Sequence, residues 1–423
     1  MTDLVTGRQK KKGGIYFFIV LLTIVSIRAW SFQSIPENIY DALELIVLFF
    51  LVFFVWVNYK KIKGKKLIFK DNVVLFMLIP VISMFGAFVY HDQPFYLSLL
   101  ILRTNFYWLF YFLLHIYNVP VKKLIGLMTF VGIVWATLTI VQQFTYPVYY
   151  FFTRTDDEET GKSILRAGIY RFQLSRYDFG EFVAIYFFDK FLRTKIFKYL
   201  LYVLFVLIGF YYFGTRQFAI ALILVIIMTA FMQSGKTKVL AIIFIAIVAT
   251  FLIFYRDVLF SKFIELTSDQ FNDKDGDVRI LCAQYFMFEY WPHWTAVFLG
   301  NGRAHSISSY GLELKNTATS LGFYLSDIGI IGSFNEFGIF YILNVIAFNI
   351  KGLRKRYYLE EDKYLRLFFY YSIIILVLVT SYSNGRSIPF YCFLLYFVDK
   401  SYEKKLAQKS VQHWDTSVQE QVS

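Results

Sequence analysis

The stretch NVVLFMLIPVISMFGAFVY, Asn72 to Tyr90, runs nineteen residues without a charged side chain. A bilayer-crossing helix needs about 20 such residues, so this segment alone points to a membrane span. The rest of the chain agrees. Of its 423 residues 57% are hydrophobic and 21% aromatic, only 17% are charged, and its mean hydropathy is +0.52. A water-facing surface needs more charge than that, which excludes an ordinary soluble enzyme. The expected class is an all-α polytopic transmembrane helical bundle.

Working outward, apolar stretches at Ile15 to Trp30, Tyr40 to Val57, Phe95 to Tyr117, Leu124 to Val141, Phe179 to Leu192, Phe197 to Phe213, Phe218 to Met232, Val239 to Tyr255, Ile328 to Ile350, Leu367 to Tyr382 and Pro389 to Val398 bring the count to about 12 spans. The stretches at Phe179 and Pro389 are short and extend into flanking loops or are partly interfacial. The start carries a basic region (Arg8, Lys10, Lys11, Lys12) before its apolar run, without a small-x-small cleavage site, so the first helix is expected to stay as an anchor. With the amino terminus inside, the chain forms one domain, 1–423, with outer loops at 143–177 and 256–325 and a cytoplasmic tail at 399–423. Cys282 falls outside and Cys392 in a late span, so no disulfide is expected. There is no sign of repeated halves or of a pair of similarly broken helices.

The net charge of +13 is explained without nucleic acid. Basic runs at Lys60, Lys61, Lys63, Lys65, Lys66 and at Lys351, Arg354, Lys355, Arg356 stand beside spans, where the positive-inside bias and anionic headgroups account for them. Arginines on the outer side run against that bias. The short outer loops Ser31 to Ile39 and His91 to Pro94 have no Lys or Arg, whereas the long ones hold Arg166, Arg171, Arg176, Arg279 and Arg303, and a tight turn holds Arg216. Such placement suggests an anionic ligand on the far side.

Each candidate has a plainer alternative. Arg216, in Gly214-Thr215-Arg216, is either a ligand contact or a snorkelling anchor. Arg28 sits at the outer end of its helix and can snorkel; Arg103 lies deeper and either pairs inside the bundle or lines a polar cavity. Arg279 follows Asp273, Asp275 and Asp277, a run that superficially resembles a calcium loop. Val278 stands where the turn needs Gly and Gln284 where a bidentate Glu would close the cage, so no metal is expected and an exposed ion pair is the alternative. Asp327 is a base or a helix cap. His305 is a second base or a solvated loop residue. Glu336, at depth in the same segment as Asp327, is expected to support the site. In the second long loop Asp277 to Tyr290 reads as an amphipathic helix, with Leu281, Tyr285 and Phe288 recurring on one face, and Leu299 to Arg303 (LGNGR) as the turn back.

Together these segments resemble the O-antigen polymerase and ligase superfamily, the Wzy-type and WaaL-type membrane glycosyltransferases. The resemblance runs from about Arg166 to Phe340 and is carried by Arg166 to Phe172 (RAGIYRF), Gly214-Thr215-Arg216, Arg279 ahead of Leu299 to Gly302, and Asp327 to Gly338 (DIGIIGSFNEFG). It implies a helical bundle whose large outer loop carries amphipathic helices over a lipid-accessible cavity, a polyprenyl diphosphate-linked oligosaccharide as donor, and no cofactor or metal. Two departures stand out: Thr-Arg replaces the commoner Ser-Arg, and Asp327 stands where ligases tend to have histidine, which favours a polymerase. Guanidinium forks suit a diphosphate leaving group. The expected roles are Arg216 and Arg279 on the diphosphate, Asp327 as general base, and Arg166, Arg171, Arg303, Arg103, His305 and Glu336 around the substrate. A lipid-linked repeat unit, membrane lipids and a chain-length regulator are the implied partners. The alternatives are a ligase and a lipid-linked oligosaccharide flippase.

Overall fold

The computed structural model describes residues 2–29, 34–146, 165–166, 169–170, 177–214, 216–232, 278–377 and 381–422, with isolated positions between them; side chains are not described at 2–13, 165, 166, 169, 216, 381 and 411–422. Arg171, Arg176, the acidic run 156–159, the aspartates at 273, 275 and 277, and most of the stretch Val239 to Tyr255 lie outside the described residues.

Helices make up nearly all of what is described. They are α1 (Thr2–Ser26), α2 (Glu37–Val57), α3 (Lys70–His91), α4 (Phe95–Leu102), α5 (Leu109–Tyr117), α6 (Val121–Thr145), α7 (Tyr177–Thr194), α8 (Phe197–Phe213) and α9 (Arg216–Phe231). After the undescribed stretch come α10 (Val278–Gln284), α11 (Ala296–Leu299), α12 (Ser309–Leu321), α13 (Gly329–Phe337), α14 (Ile339–Leu353), α15 (Leu365–Ile375) and α16 (Ile388–Val422). One two-residue antiparallel ladder joins Leu165–Arg166 to Ile169–Tyr170. Among the described residues four helical segments are long and apolar enough to cross a membrane: Glu37–Val57, Lys70–His91, Phe95–Tyr117 and Val121–Thr145.

Two apolar stretches that read as single spans are interrupted. Between α4 and α5 the backbone tightens into a 3-10 segment, Arg103–Trp108. Its sequence, Arg-Thr-Asn-Phe-Tyr-Trp, puts weak helix formers in succession, and the turn carrying Gly385 presses so close on Thr104 that a Cβ at 385 has no room. The second break is at Gly338, whose φ of +75° suits glycine and ends α13 before α14 begins. The two interruptions differ in kind: the first is a 3-10 stretch within a segment that stays helical from Phe95 to Tyr117, the second a stop between two helices. Polar or glycine residues embedded in the apolar runs, which hydropathy averages away, cause both breaks.

The helices pack through small residues and aromatic rings. In the α6–α7–α8 layer a Cβ at Gly132 would collide with the Phe179 carbonyl, one at Gly180 would lie 2.7 Å from the Trp135 ring, and one at Gly209 would lie 2.9 Å from Ala136 Cβ. Small residues at such crossings let backbones approach. Around the centre, Phe76 stacks on Trp108 at 4.9 Å and meets Phe348 edge-on at 5.3 Å. The two short apolar stretches, now α7 and the first part of α16, are among the most buried helices.

The two ends of the bundle differ in chemistry. At the lysine-rich end, Asp399 accepts hydrogen bonds from Ile68 N (2.9 Å) and the Tyr111 hydroxyl and pairs with His115 Nε2 (2.9 Å). Nearby, Lys351 Nζ donates to the Ile68 carbonyl and to Asn72 Oδ1, and Asn72 donates to Asn344 Oδ1. These contacts tie α3, α5, α14 and α16 together. The end containing His91, Arg103 and the break at Gly338 carries the candidate site.

Gly126 and Gly132 lie on the same helix, but only Gly132 is crowded. Gly132→Ala is expected to destabilise the detergent-solubilised protein by about 1–3 kcal/mol through overpacking. Gly126→Ala, with nothing within 4 Å of its new methyl, is expected to be neutral or stabilising by up to about 1 kcal/mol. Paired thermal unfolding curves check this, and equal responses would contradict the α6–α7 contact.

Candidate functional site

The site is built where the two helix interruptions face one extended strand of chain. A helix that stops inside a bundle leaves backbone carbonyls without partners. At the end of α13 the segment Leu299–Arg303 supplies them: Asn301 N donates to the Asn335 carbonyl and Gly302 N to that of Glu336, both at 2.9 Å. Side chains reinforce the seam, Asn301 Nδ2 donating to Asn335 Oδ1 at 3.1 Å and Asn335 Nδ2 to the Phe286 carbonyl at 3.0 Å. Only glycine fits here. Gly302 has φ +74°, and a Cβ there would lie 2.6 Å from Ala87 Cβ; Gly86 of α3 meets the Gly300 carbonyl with no space for a methyl.

Gln93, fully buried in the short link after α3, fixes the following residues. Its Nε2 donates to the Arg303 carbonyl (2.9 Å) and Ser98 Oγ (2.8 Å), while its Oε1 accepts from His305 N (2.8 Å) and Ser308 Oγ (2.7 Å). Above this link α10 to α12 form a small cap with its own core of Cys282, Phe286, Tyr290, Tyr310 and Ile328. The amphipathic helix expected at Asp277 to Tyr290 is α10 continued by a π turn, Tyr285–Glu289. Cys282, Phe286 and Tyr290 form the face buried in the cap, while Leu281 and Phe288 of the recurring apolar set are exposed. The cap packs its bulky one-turn-spaced trio inward, and the opposite apolar stripe is left for another apolar phase.

The charged residues form two connected groups. Arg303 donates Nη2 to Glu336 Oε2 at 2.7 Å and Nε to Oε1 at 3.1 Å, donates Nη1 to the Ser383 carbonyl at 3.2 Å, and lies 5.1 Å from the Phe337 ring centroid. A guanidinium beside the last turn of α13 also suits the negative end of the helix dipole. In the second group Arg103 Nη2 contacts Asp41 Oδ1 and Glu44 Oε2 (3.0 Å), and Nη1 donates to the Leu100 carbonyl. Arg28, 6% exposed, contacts the same two carboxylates and Glu37. Arg28 therefore does not snorkel: carboxylates one and two turns apart on α2 reach it inside the protein, which a sidechain escaping to water would forfeit.

Between the groups lies a cleft of about 360 Å³ lined by Ile101, Arg103, Ala304, His305, Leu325 and Glu336, among others. Arg103 thus pairs inside the bundle and also lines a cleft whose surface is mainly apolar; its buried Nε–H has no hydrogen-bond partner among the described residues. His305 is tethered through its backbone; its Nδ1 accepts from Ile307 N at a long 3.4 Å, which leaves Nε2–H as the donor in the neutral tautomer.

Of the sequence-predicted residues, the structure brings together Arg103, Arg303, His305 and Glu336. Asp327 is two residues along the chain from the cleft-lining Leu325 but is not itself among the lining residues, and accepts from Ser326 Oγ at 3.2 Å. It ends a 3-10 turn, Leu325–Asp327, and makes no helix cap, since α13 starts later with no side-chain cap. Burial, with the charge of Asp327 adding to it, pushes the Cys282 thiol up to about 11, so this cysteine is no nucleophile at neutral pH. Arg279 is exposed on α10, one turn from Cys282. Arg216 opens α9 and Arg166 lies in the two-residue ladder, both with side chains outside the described residues; Arg171 is outside them altogether. Among the described residues no three His, Cys, Asp or Glu side chains cluster as a metal site would require.

Sequence reasoning missed Gln93 and the acidic stripe Glu37, Asp41 and Glu44. The stripe had a signal: three carboxylates at i, i+4 and i+7 on an otherwise apolar helix share one face and demand cations inside the bundle. Scans against protein-family models and curated proteins find no match to this chain.

Glu44 is 3% exposed and shared by two guanidiniums. Glu44→Ala is expected to cost roughly 3–5 kcal/mol, the usual penalty for orphaning buried charge. The double variant Arg28→Met/Glu44→Leu is expected to be less destabilised than Glu44→Ala alone, as read by thermal unfolding in detergent. A double variant worse than the sum of its singles would contradict the shared pairing.

Proposed function

We propose that the protein is a membrane glycosyltransferase that polymerises polyprenyl diphosphate-linked oligosaccharide repeat units, with its site on the outer face of a bacterial cytoplasmic membrane. The observation that carries this reading is the cleft lined by Arg103, His305 and Glu336, with Arg303 held against Glu336 by an ion pair. A volume of about 360 Å³ suits a small anionic group or part of a sugar. The exposed apolar side chains of the cap, among them Phe288, Trp294 and Ile307, suit contact with a lipid carrier beside that cleft.

In this reading the cleft-facing edge of the Arg103 guanidinium and His305 Nε2–H meet diphosphate oxygens, and charge developing on the leaving group is met by groups already in position. Glu336 holds Arg303 and keeps it from collapsing onto the ligand. Asp327 takes the proton of the attacking sugar hydroxyl, with Ser326 orienting its carboxylate. Arg279, one helical turn before Cys282, and Arg216 complete the grip on the diphosphate; Arg166 and Arg171 steer anionic groups. The reaction needs no metal because guanidinium groups supply the positive charge. The proposed topology has about 12 spans with the amino terminus and the lysine-rich end inside, as the positive-inside bias favours.

A flippase is the second reading, favoured by one observation. Interrupted helices flanking a cleft are also how transporters hold polar cargo. Purified protein in detergent, given a lipid-linked repeat unit, separates the two, since elongation needs no compartment while transport does.

His305→Ala is expected to lower elongation about 10²–10³-fold, the usual loss of one preorganised donor. Because the residue is anchored through its backbone, its thermal stability is expected to stay within about 0.5 kcal/mol of wild type. Asp327→Asn should abolish elongation while donor binding persists. Full-length polymer from both variants would overturn the proposed site, and a ligase would instead transfer preformed polymer to an acceptor without lengthening it.

A further inference from the structure

A second polar cluster lies away from the cleft, at the start of α7. Asp178 and Glu181 are each 1% exposed and sit one turn apart on that helix. Ser387 Oγ donates to Asp178 Oδ2 at 2.7 Å. Asp178 Oδ1 and Glu181 Oε1 have no hydrogen-bond partner, and no Lys or Arg among the described residues is within ion-pair distance of either carboxylate. From α15 the buried Tyr371 hydroxyl faces Glu181 and is itself without a hydrogen bond of normal geometry. Three orphaned oxygens and two acidic groups therefore meet in one water-excluded place. Uncompensated buried charge of this kind is not stable, and the missing partner must be positive.

We propose that Asp178 and Glu181, with the Tyr371 hydroxyl, bind one small monovalent cation, H+ or Na+, at the junction of α7, α15 and the turn before α16. The other groups facing the pair leave the charge unbalanced. Tyr177 and Tyr391 are neutral phenols coupled to it. From α6 and α8 it is Trp135 and Phe210 that pack against Gly180 between the two acids. Arg386 neighbours Ser387, but its charge interactions are with Arg28, Glu44 and Glu37. The turn 384–387 thus contacts Asp178 through Ser387, while the charge of Arg386 in the same turn is felt by the network of Arg28, Glu44 and Glu37. Occupancy of the pair fixes the position of that turn.

The test is thermal unfolding of the purified full chain in detergent between pH 5.5 and 8.5, in NaCl or in choline chloride at equal ionic strength. In choline the wild-type Tm is expected to fall by several degrees as pH rises and a bound proton is lost. Recovery of that fall by Na+ at high pH identifies sodium as the ion; no recovery identifies the proton. Asp178→Asn/Glu181→Gln, which keeps shape while removing both charges, is expected to flatten both responses. A wild-type Tm indifferent to pH and to Na+, or a double variant with the same responses as wild type, would overturn the proposal. Should the double variant fail to fold, the wild-type curves alone decide.

Discussion

Backbone hydrogen bonding inside an apolar bundle is the constraint on which this structure turns. A helix that stops among other helices has no water to satisfy its last carbonyls, and α13 stops at Gly338, next to Glu336. The chain answers with a second piece of backbone, since Asn301 and Gly302 donate their amides to the carbonyls of Asn335 and Glu336. That pairing needs close approach on both sides. Hence glycine at 300, 302 and 338 and, across the seam, at 86 of α3. Once the seam is made, the positions of Arg303 and His305 follow from it, because they are the next residues along the same strand.

Charge follows the same logic of compulsory partners. Burying an arginine between helices demands carboxylates with good geometry, and α2 provides three on one face for Arg28 and Arg103. Arg303 is matched by Glu336. Paired arginines are poor evidence for a ligand by themselves. What raises Arg103 above a structural pair is that it also lines the cleft, beside His305 and Glu336, a position its pairing with the carboxylates of α2 does not by itself require.

Much of the fold was legible because it is written in long averages. The stretch from Asn72 to Tyr90 is α3 almost to the residue, and LGNGR at 299–303 is indeed the return strand. Local breaks were not legible. Arg103-Thr104-Asn105 is a polar trio in an apolar run, and Gly338 one glycine among many; each matters only because of a neighbour far along the chain, Gly385 in one case and Phe298 in the other. The candidate site was readable in part for the same reason. Arg103, Arg303, His305 and Glu336 could be singled out by type and position, but their convergence depends on Gln93, whose role is set by four partners that no spacing rule connects.

The amphipathic cap carries two apolar faces on one helix. Leu281, Tyr285 and Phe288 recur as a helix requires, yet Cys282, Phe286 and Tyr290 are the residues buried. In water that assignment would waste Leu281 and Phe288, because exposed apolar surface contributes nothing to folding. Beside a bilayer both faces have an apolar phase to enter, one the small core of the cap and the other lipid or its headgroup boundary. A helix with two apolar faces and few charges is then consistent with its surroundings, and the π turn at Tyr285–Glu289 lets the chain rotate the later aromatic residues inward without ending the helix.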